Sequence, residues 1–277
     1  MTKRNNILLY LFLIIFGLVL IYPFLFMVSA TFKTNEEIFT GIGLIPDNFS
    51  FEAFRNGWKG IGETTYGMFL MNSIKLVVPT VLFTIVSSVI VAYGFARFEF
   101  PFKKILFGVM VATLMLPQAV VIVPRYLLFH KLGWLDTYLP FYVPALLATF
   151  PFFTFMLIQF IRGLPKELDE SAILDGCNSF MILTKIHLPL LKPALISVGI
   201  FQFMWTWNDF FNSLIYINSV EKYPVSLGLR MFLDAEGAVT WNEIMAMSVI
   251  TILPCILVFF VCQKYFVSGI STSGLKG

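Results

Sequence analysis

Charge is scarce in this chain. Asp, Glu, Lys and Arg make up 13% of its 277 residues, while 58% are hydrophobic and the mean hydropathy is +0.85. Soluble domains carry about 25% charged residues, so one aqueous core could not hide this many apolar side chains, and a bilayer is the solvent that fits. No basic run exceeds a pair and the net charge is only +3, which excludes nucleic acid as a partner. Three cysteines, Cys177, Cys255 and Cys262, have neither metal-like nor disulfide-like spacing and read as reduced thiols. The two histidines, His130 and His187, fall in separate loops, and no H-E-x-x-H or G-x-S-x-G pattern occurs. The chain therefore reads as no enzyme and as holding no metal. It also lacks a G-x-x-x-x-G-K-[ST] loop to cradle phosphates, and Gly41-Ile42-Gly43 is an ordinary turn.

What the chain has instead is long apolar runs. A helix needs about 20 mainly apolar residues to cross the hydrocarbon core. Six runs qualify, at about 7–30, 66–96, 105–129, 138–161, 193–217 and 241–267. They are continuous rather than alternating, which excludes a barrel, and backbone groups in lipid must pair within helices. The expectation is one all-α domain, residues 1–277, with six transmembrane helices. Lys3-Arg4 followed by an apolar stretch ending Val28-Ser29-Ala30 has the look of a cleavable signal, but the stretch exceeds a signal's about 7–15 residues, so an uncleaved first helix is expected. Arg97, Lys103, Lys104, Arg162, Lys166, Lys185 and Lys192 crowd the short segments that share a side with Lys3 and Arg4, placing both termini in the cytoplasm of a multi-pass protein.

The segment 162–192 breaks the apolar pattern. It cannot be embedded, because an Asp or Lys at a span's centre costs about 2.5–3.5 kcal/mol. Its spacing predicts two short helices. Asp169 and Glu170 suit the positive end of the first, and Leu168, Ala172 and Gly176 lie four apart on one face, where small side chains let a partner's backbone approach. Asp175-Gly176 reads as a helix stop with a left-handed glycine. The second helix, Ser179 to Ile186, would turn Phe180 and Leu183 inward, end at Leu188-Pro189 and give way to a fifth span starting at Pro193. At about thirty residues the segment far exceeds the usual 2–8 of a helix–helix connection, and it is patterned, which favours partner docking.

Within the fifth run, Gln202, Trp205, Thr206, Asp209 and Ser213 fall on one helical stripe, with Asn212 at its border and Asn208 further round. Intramembrane polar groups face a bundle interior or a water-filled path. Trp205 offers a flat face to a sugar ring, and Asp209 and Asn212 can bond hydroxyls; the same residues could equally glue helices together. Pro117-Gln118 and Pro124 would loosen the third run's hydrogen-bond ladder.

Glu170-Ser171-Ala172-Ile173-Leu174-Asp175-Gly176, followed by Phe180, Ile186, Leu188-Pro189-Leu190 and Lys192-Pro193, resembles the EAA motif of permease subunits of ATP-binding-cassette importers, departing at Ser171 and Cys177, where alanine is commoner. The stretches Asn72–Phe107, Pro124–Pro144, Trp205–Tyr216 and Tyr265–Gly277 narrow the resemblance to the carbohydrate-uptake family, typified by the maltose transporter's smaller permease. The resemblance implies the type I ABC importer permease fold in a bacterial or archaeal plasma (inner) membrane. It implies a second homologous permease, two ATP-binding-cassette ATPase subunits holding the ATP and Mg, an extracellular or periplasmic solute-binding protein, and a sugar or oligosaccharide as cargo. It further implies that Glu170, Ser171, Ala172, Asp175, Gly176, Leu188 and Pro189 form a coupling helix and turn seated on one ATPase. The tail 268–277, with Gly269, Ser273, Gly274 and Lys276, would reach the ATPases, and the outer loop with Asp234, Ala235, Glu236 and Gly237 would meet the binding protein. A permease for a non-sugar solute or an ion-coupled carrier using Asp209 are the alternatives, though the six runs show no internal repeat of the carrier kind.

Overall fold

A computed structural model describes residues 3–41, 43–234 and 239–271 of the chain, with side chains within 9–41, 43–233 and 239–263. Among the described residues regular structure is helical: α1 Lys3–Ala30, α2 Asn35–Thr40, α3 Glu52–Lys59, α4 Tyr66–Arg97, α5 Lys103–Leu114, α6 Gln118–Lys131, α7 Leu139–Leu146, α8 Pro151–Arg162, α9 Glu167–Leu174, α10 Ser179–Ile182, α11 Leu188–Trp207, α12 Phe210–Tyr216, α13 Val225–Asp234 and α14 Trp241–Ser271. Among the described residues five stretches are long and apolar enough to cross a membrane: 9–30, 66–97, 139–162, 179–207 and 241–263. The pair α5–α6, bent by 106°, makes a sixth if it is one span.

The chain divides into two compact units. The first comprises residues 1–70 and 227–254. In it, α1 is exposed from Leu9 to Leu25, and burial begins only at Ser29 and Ala30. Lys33 is 4% exposed and satisfies its charge by donating from Nζ to the Gly43 carbonyl at 2.5 Å. Tyr66 donates its hydroxyl to the Met247 carbonyl at 3.3 Å and pairs with the Thr251 hydroxyl, and Gly228 lies against the Phe69 ring, where an added Cβ would collide.

The second unit comprises residues 71–226 and 255–277. Its core joins Val89, Tyr93, Phe153, Leu157, Ile161, Ala172, Ile182, Leu183, Leu191 and Val198. Gly199 of α11 faces Ile85 and Val81 of α4 at ordinary van der Waals distance. Near the opposite ends of these helices a second cluster holds Leu76, Phe129, Phe141, Tyr216 and Ile217. Here Asp136 accepts from the backbone N–H groups of Asn218 (3.0 Å) and Ser219 (2.8 Å), from the Ser219 hydroxyl (2.6 Å) and from Lys222 (2.7 Å).

The proline expectations divide. The third run breaks fully ahead of Pro117, which N-caps α6, while Pro124 stays inside α6. The expected stop at Leu188-Pro189 does not occur. Instead a single turn of π-helix, Leu183–His187, joins α10 to α11, with Leu188 N–H donating to the Leu183 carbonyl five residues back. A proline ring clashes with the carbonyl four residues before it; the wider turn relieves that clash at Pro189 and lets the helix run on through Pro193. The helical stretch thus starts at Ser179, well before Pro193, and ends at Trp207 rather than near Ile217.

Candidate functional site

Helix α9 begins just after Pro165 and carries Glu167, Asp169 and Glu170 in its first turn, where the unpaired N–H groups favour negative charge. It ends in a Schellman motif: Cys177 N–H donates to the Ala172 carbonyl at 2.9 Å and Gly176 N–H to the Ile173 carbonyl at 3.0 Å. Gly176 takes φ +80°, the left-handed conformation expected of it, and the space beside it is open. Asn178 then caps α10, its side chain accepting from Met181 N–H at 2.9 Å. The two-helix pattern follows from these local signals.

The faces differ from expectation. Ala172 is 5% exposed and belongs to the core, so its small size lets α9 lie close on its own chain rather than admitting a partner. Phe180, expected inward, is 73% exposed, while Ile182 and Leu183 are buried; the π turn advances the register so that these two, not Phe180, meet the core. What faces out is an apolar row, Ile173, Leu174 (89% exposed) and Phe180, flanked by the exposed Glu167, Glu170, Ser171, Asp175 and Gly176. Leu188 is half-buried and Pro189 exposed at the root of α11.

Beneath α9 lies a cluster that sequence reasoning missed. Asp169 Oδ2 is 2.8 Å from Arg97 Nε, at the last turn of α4, and its Oδ1 is 2.6 Å from His187 Nε2, in the π turn. Arg97 also donates through a terminal nitrogen to the Leu164 carbonyl at 3.0 Å. The His187 ring is fully buried and packs against Tyr93, centroids 5.2 Å apart. Only the rarity of histidine and the position of Asp169 three residues before the small Ala172 hinted at it.

The polar stripe is divided. Asn208 closes α11, and Asp209 starts α12 as its N-cap, accepting from Asn212 N–H at 3.1 Å and from the Asn212 amide at 3.0 and 2.8 Å. Ser213 is fully buried and donates to the Asp209 carbonyl. Gln202, 3% exposed, donates to the Thr206 hydroxyl at 2.7 Å. Gln202 and Thr206, and Asp209 with Asn212 and Ser213, therefore spend polar groups on one another. Trp205 remains 49% exposed, resting on Phe152 and Phe153, and Asn208, placed off the stripe by the helical wheel, is exposed as well because the helix ends there. An apolar cleft of about 480 Å³ along α4, α11 and α14, lined by Val81, Ile85, Lys192, Gly199, Phe203 and Cys262 among others, holds none of the stripe.

Of the remaining site residues, Ala235, Glu236, Gly237, Ser273, Gly274 and Lys276 lie outside the described residues. Asp234 ends α13, and Gly269 lies within α14, which continues to Ser271.

The chain can now be set beside known proteins. A family model described as "Binding-protein-dependent transport system inner membrane component" matches residues 84–272. The probable ABC transporter permease protein YurM of Bacillus subtilis is 33% identical over 97% of this chain and 88% of its own length. The trehalose/maltose transport system permease protein MalG of Thermococcus litoralis is 30% identical over 99% and 98%. A crystal structure of a bacterial ABC transporter involved in importing the acidic polysaccharide alginate contains a chain that superposes with a TM-score of 0.85 at 22% identity, covering 96% of this chain and 99% of that one, which is a likeness of fold.

Proposed function

The chain belongs to the binding-protein-dependent transport system inner membrane components, and from that premise we propose that it is the permease subunit of an ABC importer for a sugar or oligosaccharide. With a second, homologous permease it lines the path, while two ATPase subunits supply the ATP and Mg chemistry and an external binding protein delivers the cargo. The sugar class rests on the relative named for trehalose and maltose.

The observation that carries the reading is the set of exposed apolar side chains on α9 and α10. Ile173, Leu174 and Phe180 are large apolar side chains exposed on a segment too charged to enter lipid, and such patches mark protein interfaces. The acids Glu167, Glu170 and Asp175 at its rim ask for a groove with basic edges, and open space beside Gly176 leaves room for that groove's wall. The partner with energy to give is the ATPase. On this reading α9 faces the cytoplasm, both termini lie on the same side, and the tail from Gly269 through Ser273, Gly274 and Lys276 runs towards the ATPases. The outer segment with Asp234, Ala235, Glu236 and Gly237 then meets the binding protein outside. Trp205, the open member of the divided stripe, and the neighbouring Asn208 touch passing cargo, while Gln202, Thr206, Asp209, Asn212 and Ser213 hold them in place.

Proteoliposomes carrying both permeases, the ATPases and the binding protein provide the test. With ATP on the ATPase side they are expected to accumulate at least one radiolabelled sugar from a panel of maltose, trehalose and short neutral and acidic oligosaccharides. Uptake of only a non-sugar solute would overturn the cargo assignment. Uptake driven by a proton gradient without ATPases would overturn the whole reading in favour of a carrier.

A further inference from the structure

Asp169 is mostly buried, its side chain 15% exposed, while the docking row beside it is open. Its two carboxylate oxygens go to two different spans, one to Arg97 at the end of α4 and the other to His187 at the root of α11. Arg97 adds a bond to the Leu164 carbonyl, on the strip of chain that leads into α9. The Arg97 and Asp169 side chains are 7% and 15% exposed and the His187 ring is fully buried, so water cannot replace any partner that is pulled away. One helical turn on, Ala172 seats α9 in the same core as Ile182 and Leu183. The short helix is thereby locked to α4 and α11 through charge at one end and close packing at the other. The histidine sits in a π turn, a helix distortion that recurs at functional positions.

We propose that Asp169 is a positioning residue that transmits force. Through Arg97 and His187 it makes α9 move as one body with the ends of α4 and α11, so that a displacement of α9 is delivered to two spans at once. Arg97 is the fixed charge that holds it, and His187 is the link to the span carrying Trp205. The inference rests on α9 being the ATPase-docking helix.

The test measures sugar imported per ATP hydrolysed, in the full complex in proteoliposomes, with whichever sugar of the panel above the wild type accumulates. Asp169→Asn and Arg97→Gln are each expected to lower that ratio roughly tenfold, the size of a typical coupling between sites, with assembly and ATP hydrolysis retained. The double variant is expected to be no worse than either single, because the two residues act as one unit. A wild-type ratio in the singles, or losses that multiply in the double, overturns the proposal. So does failure of both singles to assemble while His187→Gln keeps the wild-type ratio, which would mark the cluster as a folding staple. Leu174→Arg separates the two levels. If it leaves ATP-driven uptake intact, the docking reading falls; if it abolishes uptake while Asp169→Asn keeps the wild-type ratio, only the transmission role falls.

Discussion

Asp136 occupies the left-handed region at φ 57°, a conformation that Asp tolerates better than most residues. It connects α6 to α7, outside the spans. The bonds from Lys222 and Ser219 hold its carboxyl well below the usual carboxylate range. The sign of the linkage follows. A depressed folded pKa adds stability above the unfolded value of about 3.9, and that stability is lost only as pH falls through the lower folded value. Asp136→Asn, which keeps the backbone tolerance and drops the charge, should therefore lower the melting temperature by the same amount at pH 5 and pH 8. With the carboxylate and ammonium side chains 29% and 45% exposed, solvent screening holds the loss to about 1 kcal/mol. At the other end of the spans, Gly176 stands in open space at φ +80°. Gly176→Ala should cost about 1 kcal/mol of backbone strain yet leave ATPase binding unchanged in a pull-down of the assembled complex, whereas Gly176→Trp should reduce that binding by filling the space a partner needs. The glycine was legible because a helix stop is a local signal. Asp169 was not: its partners are 72 residues earlier and 18 later in the chain, and sequence periodicity carries no information about such pairings.

Elements show the same division between local and distant causes. The helix–stop–helix pattern of the charged segment was readable from Asp175-Gly176 and the acids of the first turn. The continuity of the helix through Pro189 was not, because whether a proline ends a helix depends on whether a wider turn can form ahead of it. The wheel drawn through Gln202 to Ser213 failed for a related reason, since Asp209 caps a new helix instead of continuing the old one. Pro189→Ala restores a backbone donor and removes the ring clash, so the π turn can anneal to an α-turn. Taking out one residue of register rotates α10 by about 100° relative to α11 and carries His187 away from Asp169. Sugar imported per ATP should fall several-fold without loss of assembly, and a cryo-EM map should show the regular turn. On α11, Gly199 has ordinary van der Waals room for one methyl, at 3.5 Å from Ile85. Gly199→Ala should leave the melting temperature unchanged or higher, and Gly199→Phe should lower it by the overpacking cost of about 1–3 kcal/mol.

For the molecule as a whole, composition pointed to the bilayer as solvent, and the continuous apolar runs gave the helical class. Purified without ATPases, the chain should move no sugar across a vesicle in either direction, as measured by equilibrium efflux of the panel sugars. Less legible was how unevenly the helices are used. From Leu9 to Leu25 the first helix leaves every residue exposed, so its sequence is almost free of duties to its own fold. That makes it a gauge of the surroundings. Ile14→Ala or Val19→Ala should be silent in the isolated chain, and whatever heat resistance such a change removes from the complete transporter belongs to neighbours that the helix meets only there.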